Sequence, residues 1–95
     1  MITENTKYIL NEELNKLKGM TYSEFIEKMH KPFRYVINIG HYNYQAEVKI
    51  KYEKHDPENI KVELSIKDLG IKAFIPLTDF FIMTPEGNIT NNSLV

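Results

Sequence analysis

Two alternating stretches decide the fold, YNYQAEVKIKYE at Tyr42–Glu53 and IKVELSIK at Ile60–Lys67. In both stretches the even-numbered side chains are apolar and the odd-numbered side chains are polar or charged. Successive side chains of a β-strand point to opposite faces of its sheet. The pattern therefore predicts an antiparallel hairpin with one buried face and one face in water.

The charges of the hairpin predict how its two strands pair. The apolar even-numbered residues of one strand must lie opposite even-numbered residues of the other. More than one register satisfies this condition, so the charges have to decide between neighbouring registers. One register would place Lys51 directly opposite Lys61, and like charges in that position destabilise a sheet. We therefore predict the register that gives three pairs of opposite charge, Lys51 with Glu63, Glu53 with Lys61 and Glu47 with Lys67. The same register pairs Tyr52 with Val62. The loop at His55–Asn59 would then join the strands.

The first third of the chain predicts two helices. The first has three leucines on one face, at Leu10, Leu14 and Leu17. Thr6 or Asn11 would cap its start, and Gly19 would end it in the left-handed conformation. Thr21 and Glu24 form a capping box that starts the second helix. The second helix carries an apolar stripe, Tyr22, Phe25, Ile26 and Met29, and Lys31-Pro32 ends it.

The remaining segments extend the sheet. Phe33–Ile39 is predicted as the first strand, with Phe33, Tyr35, Ile37 and Ile39 on the core face, and Gly40–Asn43 as a turn. Asp68–Gly70 would be a short loop with Gly70 left-handed, leading to a fourth strand at Ile71–Ile75. Thr78–Met83 is either one more short strand or an irregular wrap.

We therefore expect an α+β fold in which two N-terminal helices pack on one face of a four-stranded antiparallel meander. Residues 1–95 would form a single domain, with helices at about 6–30, the sheet at about 33–83 and a frayed tail at 88–95.

Composition narrows the classes of function. The chain has 95 residues and a net charge of −1, so it lacks the basic surplus of proteins that bind nucleic acid or anionic membranes. It has no cysteine, which excludes thiolate zinc sites and fits a reducing cytoplasm. No apolar run is long enough to cross a membrane, and residues 1–10 do not read as a signal peptide. We expect a cytoplasmic protein with neither a nucleic-acid nor a membrane partner.

Residues that could carry chemistry are scattered. His30 falls at a helix end, while His41 and His55 fall in turns at opposite ends of the second strand, too far apart to share a metal or a proton. Asp68 and Asp79 are the carboxylates flanked by apolar sequence, but a turn contact for Asp68 and a local backbone bond for Asp79 suit them better than catalysis. We expect no enzyme, no catalytic residue, no cofactor and no metal site.

Five short motifs carry a resemblance that covers about Leu17 to Asn88. They are GMTYSE at Gly19–Glu24, YQAE at Tyr44–Glu47, SIKDLG at Ser65–Gly70, AFIPLTD at Ala73–Asp79 and FIMTPEG at Phe81–Gly87. In these motifs the chain resembles a widespread family of small bacterial proteins without an assigned function. It departs at Leu69, where the family has a second glycine, and at Tyr52, where the family has tryptophan. The resemblance implies the same fold and a bacterial or phage origin, and it supplies no active site.

The leading hypothesis is a non-enzymatic protein-binding module of the immunity or antagonist type. Its surfaces would be the wet face of the hairpin, around Lys49, Lys51 and Glu63, and a sheet edge near Lys72 that could accept a strand. The alternative is a small-ligand-binding or regulatory subunit with a pocket between helices and sheet. A cavity beneath the helices would favour the ligand, and a solid core would favour the protein partner. A homodimer is left open, and the sequence does not identify the partner.

Overall fold

The computed structural model describes residues 4–70 and 75–90. Two helices, α1 (Glu4–Lys18) and α2 (Tyr22–Lys28), come first in the chain. Five strands follow, β1 (Phe33–Ile39), β2 (Tyr42–Tyr52), β3 (Ile60–Asp68), β4 (Leu77–Met83) and β5 (Ile89–Thr90). They form one antiparallel sheet in the order β1-β2-β3-β4-β5. The α+β prediction is confirmed, and the sheet has one strand more than predicted.

The ends of α1 differ from the prediction. The helix begins at Glu4, so Thr6 and Asn11 both lie inside it and neither caps it. The Gly19 N–H donates to the Lys16 carbonyl at 3.1 Å. Gly19 is not among the glycines with positive φ in the described residues, so the predicted left-handed cap is wrong.

The capping box of α2 is confirmed. The Glu24 N–H donates to Thr21 Oγ1 at 3.2 Å, and the Thr21 N–H donates to Glu24 Oε1 at 2.8 Å. These two bonds satisfy amides that the first turn of a helix leaves unpaired. Phe25 is fully buried, and three half-buried side chains complete the predicted stripe, Tyr22, Ile26 and Met29.

The core lies between the helices and one face of the sheet, called here the inner face. It joins residues of α1 and α2 to alternate residues of the central strands: Ile9, Leu10, Leu14, Leu17, Phe25, Tyr44, Ala46, Val48, Ile50, Ile60, Val62, Leu64, Ile66, Phe81 and Met83. The rings of Phe25 and Phe81 meet edge to face with their centroids 6.0 Å apart. The predicted buried face is confirmed for the even-numbered residues from 44 to 50 and from 60 to 66, whereas Tyr42 and Tyr52, predicted on the same face, are 56% and 53% exposed.

The predicted register of the hairpin is wrong. Lys51 lies opposite Lys61, Tyr52 opposite Ile60, and Lys49 opposite Glu63. The predicted and the observed register bury the same apolar side chains. The preference for the observed one must therefore come from contacts in the loop and on the face exposed to water.

Backbone hydrogen bonds in the loop favour the observed register. The Glu53 N–H donates to the Asn59 carbonyl at 2.8 Å, and the Asn59 N–H donates to the Asp56 carbonyl at 2.9 Å. The Glu53 carboxylate also accepts the His55 N–H at 3.1 Å. These bonds close a loop at residues 54–58, which is as long as the predicted loop but is shifted by one residue along the chain.

The neighbouring strand β4 removes the penalty expected for two facing lysines. Lys61 Nζ lies 3.7 Å from Glu63 Oε2 on its own strand and 4.5 Å from the centroid of the Phe80 ring. The Lys61 charge is therefore directed toward β4, on the side away from Lys51.

Strand β1 has the predicted bounds, but its last residue does not join the core, since Ile39 is 48% exposed. The turn after it consists of Gly40 and His41, with Gly40 at φ 57°. Tyr42 and Asn43, predicted in the turn, already belong to β2.

The later strands depart most from the prediction. Residues 71–74 of the predicted fourth strand lie outside the described residues, and Ile75 belongs to no strand. Thr78–Met83, left undecided between a strand and a wrap, lies in β4. Ile89 and Thr90, predicted in the frayed tail, pair with Met83 and Ile82.

Candidate partner-binding face

The face of the sheet that points away from the helices, called here the outer face, holds three of the four predicted partner-binding residues. Lys49 and Glu63 are directly opposite each other, and Lys51 is the next outer-face residue on β2. The fourth, Lys72, lies outside the described residues.

Two apolar residues share this face and were not predicted there. Phe80 lies opposite Glu63, and Ile82 lies opposite Lys61. Ile82 is only 3% exposed although it points away from the helices. The sequence did contain a signal, because the unbroken apolar run at Phe80–Met83 is typical of a strand covered on both faces.

A cleft of about 560 Å³ opens at this apolar part of the outer face. Its lining combines β4, the ends of β2 and β3, and the loop between them: Lys51, Tyr52, Glu53, Lys54, His55, Lys61, Phe80 and Ile82. The volume falls within the range of about 300–1,000 Å³ that is usual for binding sites. Phe80 and Ile82 give the cleft an apolar wall, and the loop gives it a charged rim.

The rim of the cleft is cationic in a chain that is slightly acidic. It contains three lysines and one glutamate, whereas the whole chain has a net charge of −1. The Glu53 carboxylate is turned toward its own loop, where it accepts the His55 N–H. Within residues 4–70 and 75–90, neither Lys51 nor Lys54 forms an ion pair. Both charges are therefore available to a ligand.

Lys61 has a different role, because it already has partners. Its ammonium lies over Phe80 and beside Glu63. A cation over an aromatic face contributes about 0.5–1 kcal/mol at an exposed site. We infer that Lys61 holds the Phe80 ring in place at the cleft.

A second polar cluster, around Glu13, is structural. Glu13 is nearly buried on α1, where Oε1 accepts the Tyr35 hydroxyl at 2.8 Å and Oε2 accepts Lys16 Nζ at 2.9 Å. Burial, and then the hydrogen bond to Glu13, raise the pKa of Tyr35 strongly. Since α1 begins at Glu4, Glu13 lies well inside the helix. Both of its oxygens are occupied, and the bond from Tyr35 to Oε1 fastens β1 to α1.

The two carboxylates considered for chemistry bond to nearby backbone. Asp68 Oδ1 accepts the Gly70 N–H at 2.8 Å, and Asp79 Oδ1 accepts the Phe80 N–H at 2.8 Å. Gly70 does not have the positive φ predicted for it. The Asp68 contact is enough to shape the turn.

The histidines do not form a site with one another. His30, His41 and His55 are all exposed, and the last two lie at opposite ends of β2. In the described part of the chain no three His, Asp or Glu side chains are grouped so that they could hold a metal ion.

Comparisons with protein-family models, with curated proteins and with solved structures find no match to this chain. The resemblance to small bacterial proteins thus stays a prediction. Neither described helix is long and apolar enough to span a membrane.

Proposed function

We propose that the protein is a non-enzymatic binding module whose outer face contacts a protein partner. One observation carries the proposal, the cleft in which the unpaired cations of Lys51 and Lys54 lie beside the apolar wall of Phe80 and Ile82. A partner segment that places an apolar side chain between carboxylates would match it in shape and charge. The immunity or antagonist role belongs to this proposal. So does a bacterial cytoplasm, which is supported by the resemblance to bacterial proteins and by the absence of cysteine.

The packing of the inner face favours a protein partner over a ligand held between helices and sheet. Phe25, Val48 and Leu64 are completely buried at the centre of that layer. The pocket that α1 does share with the sheet, lined by Asn5, Tyr8, Ile9, Ile39, Tyr42 and Tyr44, has about 280 Å³, half the volume of the cleft on the outer face. The 560 Å³ cleft opens instead on the opposite face, where a partner can reach it directly.

The surroundings of the titratable groups support binding rather than turnover. A general acid or base needs an environment that shifts its pKa and a position beside a second reacting group. Glu13, Asp68 and Asp79 each accept hydrogen bonds from their own fold. None of the three is directed into the cleft.

The cleft also predicts how binding responds to salt. Its rim charges are exposed, and such charges are screened over about 8–10 Å at physiological ionic strength. Their contribution should therefore weaken as salt is added, whereas burial of an apolar side chain against Phe80 should persist.

The test is affinity capture from extracts of the native host, with quantitative mass spectrometry. The cleft variant carries Lys51→Glu and Lys54→Glu, and the matched control carries Lys7→Glu and Lys31→Glu. The two variants change the net charge equally, and all four lysines are exposed. Circular dichroism would check that both variants fold.

The proposal expects a protein that the wild type and the control capture and the cleft variant does not. Equal capture by all three chains would show that the cleft is not the contact. Turnover or a small molecule bound to the purified wild type would contradict the proposal as well.

A further inference from the structure

The two edges of the sheet differ in how well they are closed. On the β4 side the backbone groups that point outward belong to even-numbered residues, since the Thr84 N–H donates to the Asn88 carbonyl where the chain of β5 joins this edge. Pro76 has no N–H to offer, and the Phe80 N–H is occupied by the Asp79 carboxylate. Most of the backbone N–H groups that point away from the sheet at this edge are therefore absent or already bonded.

The β1 edge has free backbone groups. The Asn43 carbonyl accepts the Leu69 N–H, so odd-numbered residues of β2 direct their backbone toward β3. Backbone direction alternates along an antiparallel strand, so the even-numbered residues of β2 bond to β1. Their partners in β1 are odd-numbered. The N–H and C=O groups of Arg34, Val36 and Asn38 consequently point away from the sheet, and no described residue bonds to them.

This edge also lacks the features that usually block strand pairing. Exposed edge strands tend to carry lysine, proline or a bulge. β1 has seven residues in unbroken register with β2 and contains neither lysine nor proline. Val36 at its centre is 57% exposed, and the charge of Arg34 is engaged by Glu47 at 2.9 Å.

We propose that β1 pairs antiparallel with β1 of a second copy, about a two-fold axis through Val36. Outward backbone groups meet only if even-numbered residues face even-numbered residues, and centring the pairing on Val36 uses all seven residues of the strand. Arg34 then lies opposite Asn38 of the second copy, so no like charges oppose each other. Phe33 lies opposite Ile39 of the second copy and covers a side chain that is exposed in the single chain.

The sequence of β1 is complementary to itself, and this is why the proposed partner is a second copy of the chain. A two-fold axis requires each half of the strand to match the other half in reverse. β1 meets this requirement with apolar residues at both ends, polar residues at the second and sixth positions and valine at the centre. The axis keeps both helical layers on one side of the joined sheet, and both clefts remain free on the other.

The test is sedimentation equilibrium over a wide range of protein concentration, with Val36→Glu and Val36→Lys variants. Two glutamates, or two lysines, would face each other across the axis, so each variant alone should dissociate at least about tenfold more readily than the wild type. An equimolar mixture of the V36E and V36K chains should recover the dimer, because glutamate then faces lysine. Ile75→Glu and Ile75→Lys are the controls, since Ile75 is 74% exposed and outside every strand.

Amide hydrogen exchange tests the same contact without a substitution. The amides of Arg34, Val36 and Asn38 should exchange more slowly as wild-type concentration rises, and the Phe80 amide should not respond. A wild type that stays monomeric at millimolar concentration would overturn the proposal. So would V36E and V36K chains that fail to associate when mixed, or that dimerise alone as strongly as the wild type.

Discussion

Leu64→Ala tests the packing that defines the fold. Leu64 is completely buried on β3, between Val48 of β2 and Asp79 of β4. The substitution removes three buried carbon groups, each contributing about 0.8 kcal/mol, or about 2.4 kcal/mol together. Hydrogen-bonded strands on both sides limit collapse into the space, so a cavity cost brings the expected loss to about 3–4 kcal/mol. Total stabilities are about 5–15 kcal/mol, so the loss is a large share.

Urea and thermal unfolding followed by circular dichroism would measure the loss. For a domain of this size, 3–4 kcal/mol corresponds to a fall in Tm of about 12–30 °C. Leu69→Ala is the matched control, because Leu69 is 47% exposed and should cost less than about 1 kcal/mol. A Leu64→Ala variant no less stable than Leu69→Ala would refute the assignment of this face to the core.

Three further predictions concern polar contacts. Thr21→Ala should destabilise the protein by about 1 kcal/mol in urea unfolding, because it breaks the capping box, and Ser23→Ala should have little effect. The folded state raises the pKa of Tyr35 above its ordinary 10.0, so its contribution is present below that pH and is lost as pH rises toward the raised value. Urea midpoints of the wild type should therefore fall above about pH 10 more steeply than those of Tyr35→Phe, and parallel curves would exclude this linkage. A double-mutant cycle between Lys61→Gln and Phe80→Leu should give a coupling of about 0.5–1 kcal/mol, and zero coupling would mean that the ammonium does not bind the ring.

The sequence predicted most of the secondary structure because the determining signals are local. Alternation in β2 and β3 depends on single side chains, and so does the capping box at Thr21 and Glu24. The register of the hairpin could not be predicted from the two paired strands alone. Cross-strand charge pairs contribute only about 0.2–1 kcal/mol each, which the loop bonds of Glu53 and Asn59 can outweigh.

The candidate site was predicted in part for a similar reason. The alternation placed Lys49, Lys51 and Glu63 on the outer face, where the structure has them. Phe80 and Ile82 were missed because the segment from Thr78 was left undecided between a strand and a wrap. A cleft built from both sheet and loop could not be foreseen without the position of β4.

The bond from Asp79 to the Phe80 amide also bears on how far this protein can assemble. A chain with two open sheet edges can add copies at both ends and grow into a fibre, whereas a chain with one open edge stops at a pair. In the pairing proposed for β1, the Asp79 carboxylate removes one donor from the β4 edge and so opposes the addition of further copies there. One carboxylate on the β4 edge thus helps to separate a finite assembly from an endless one.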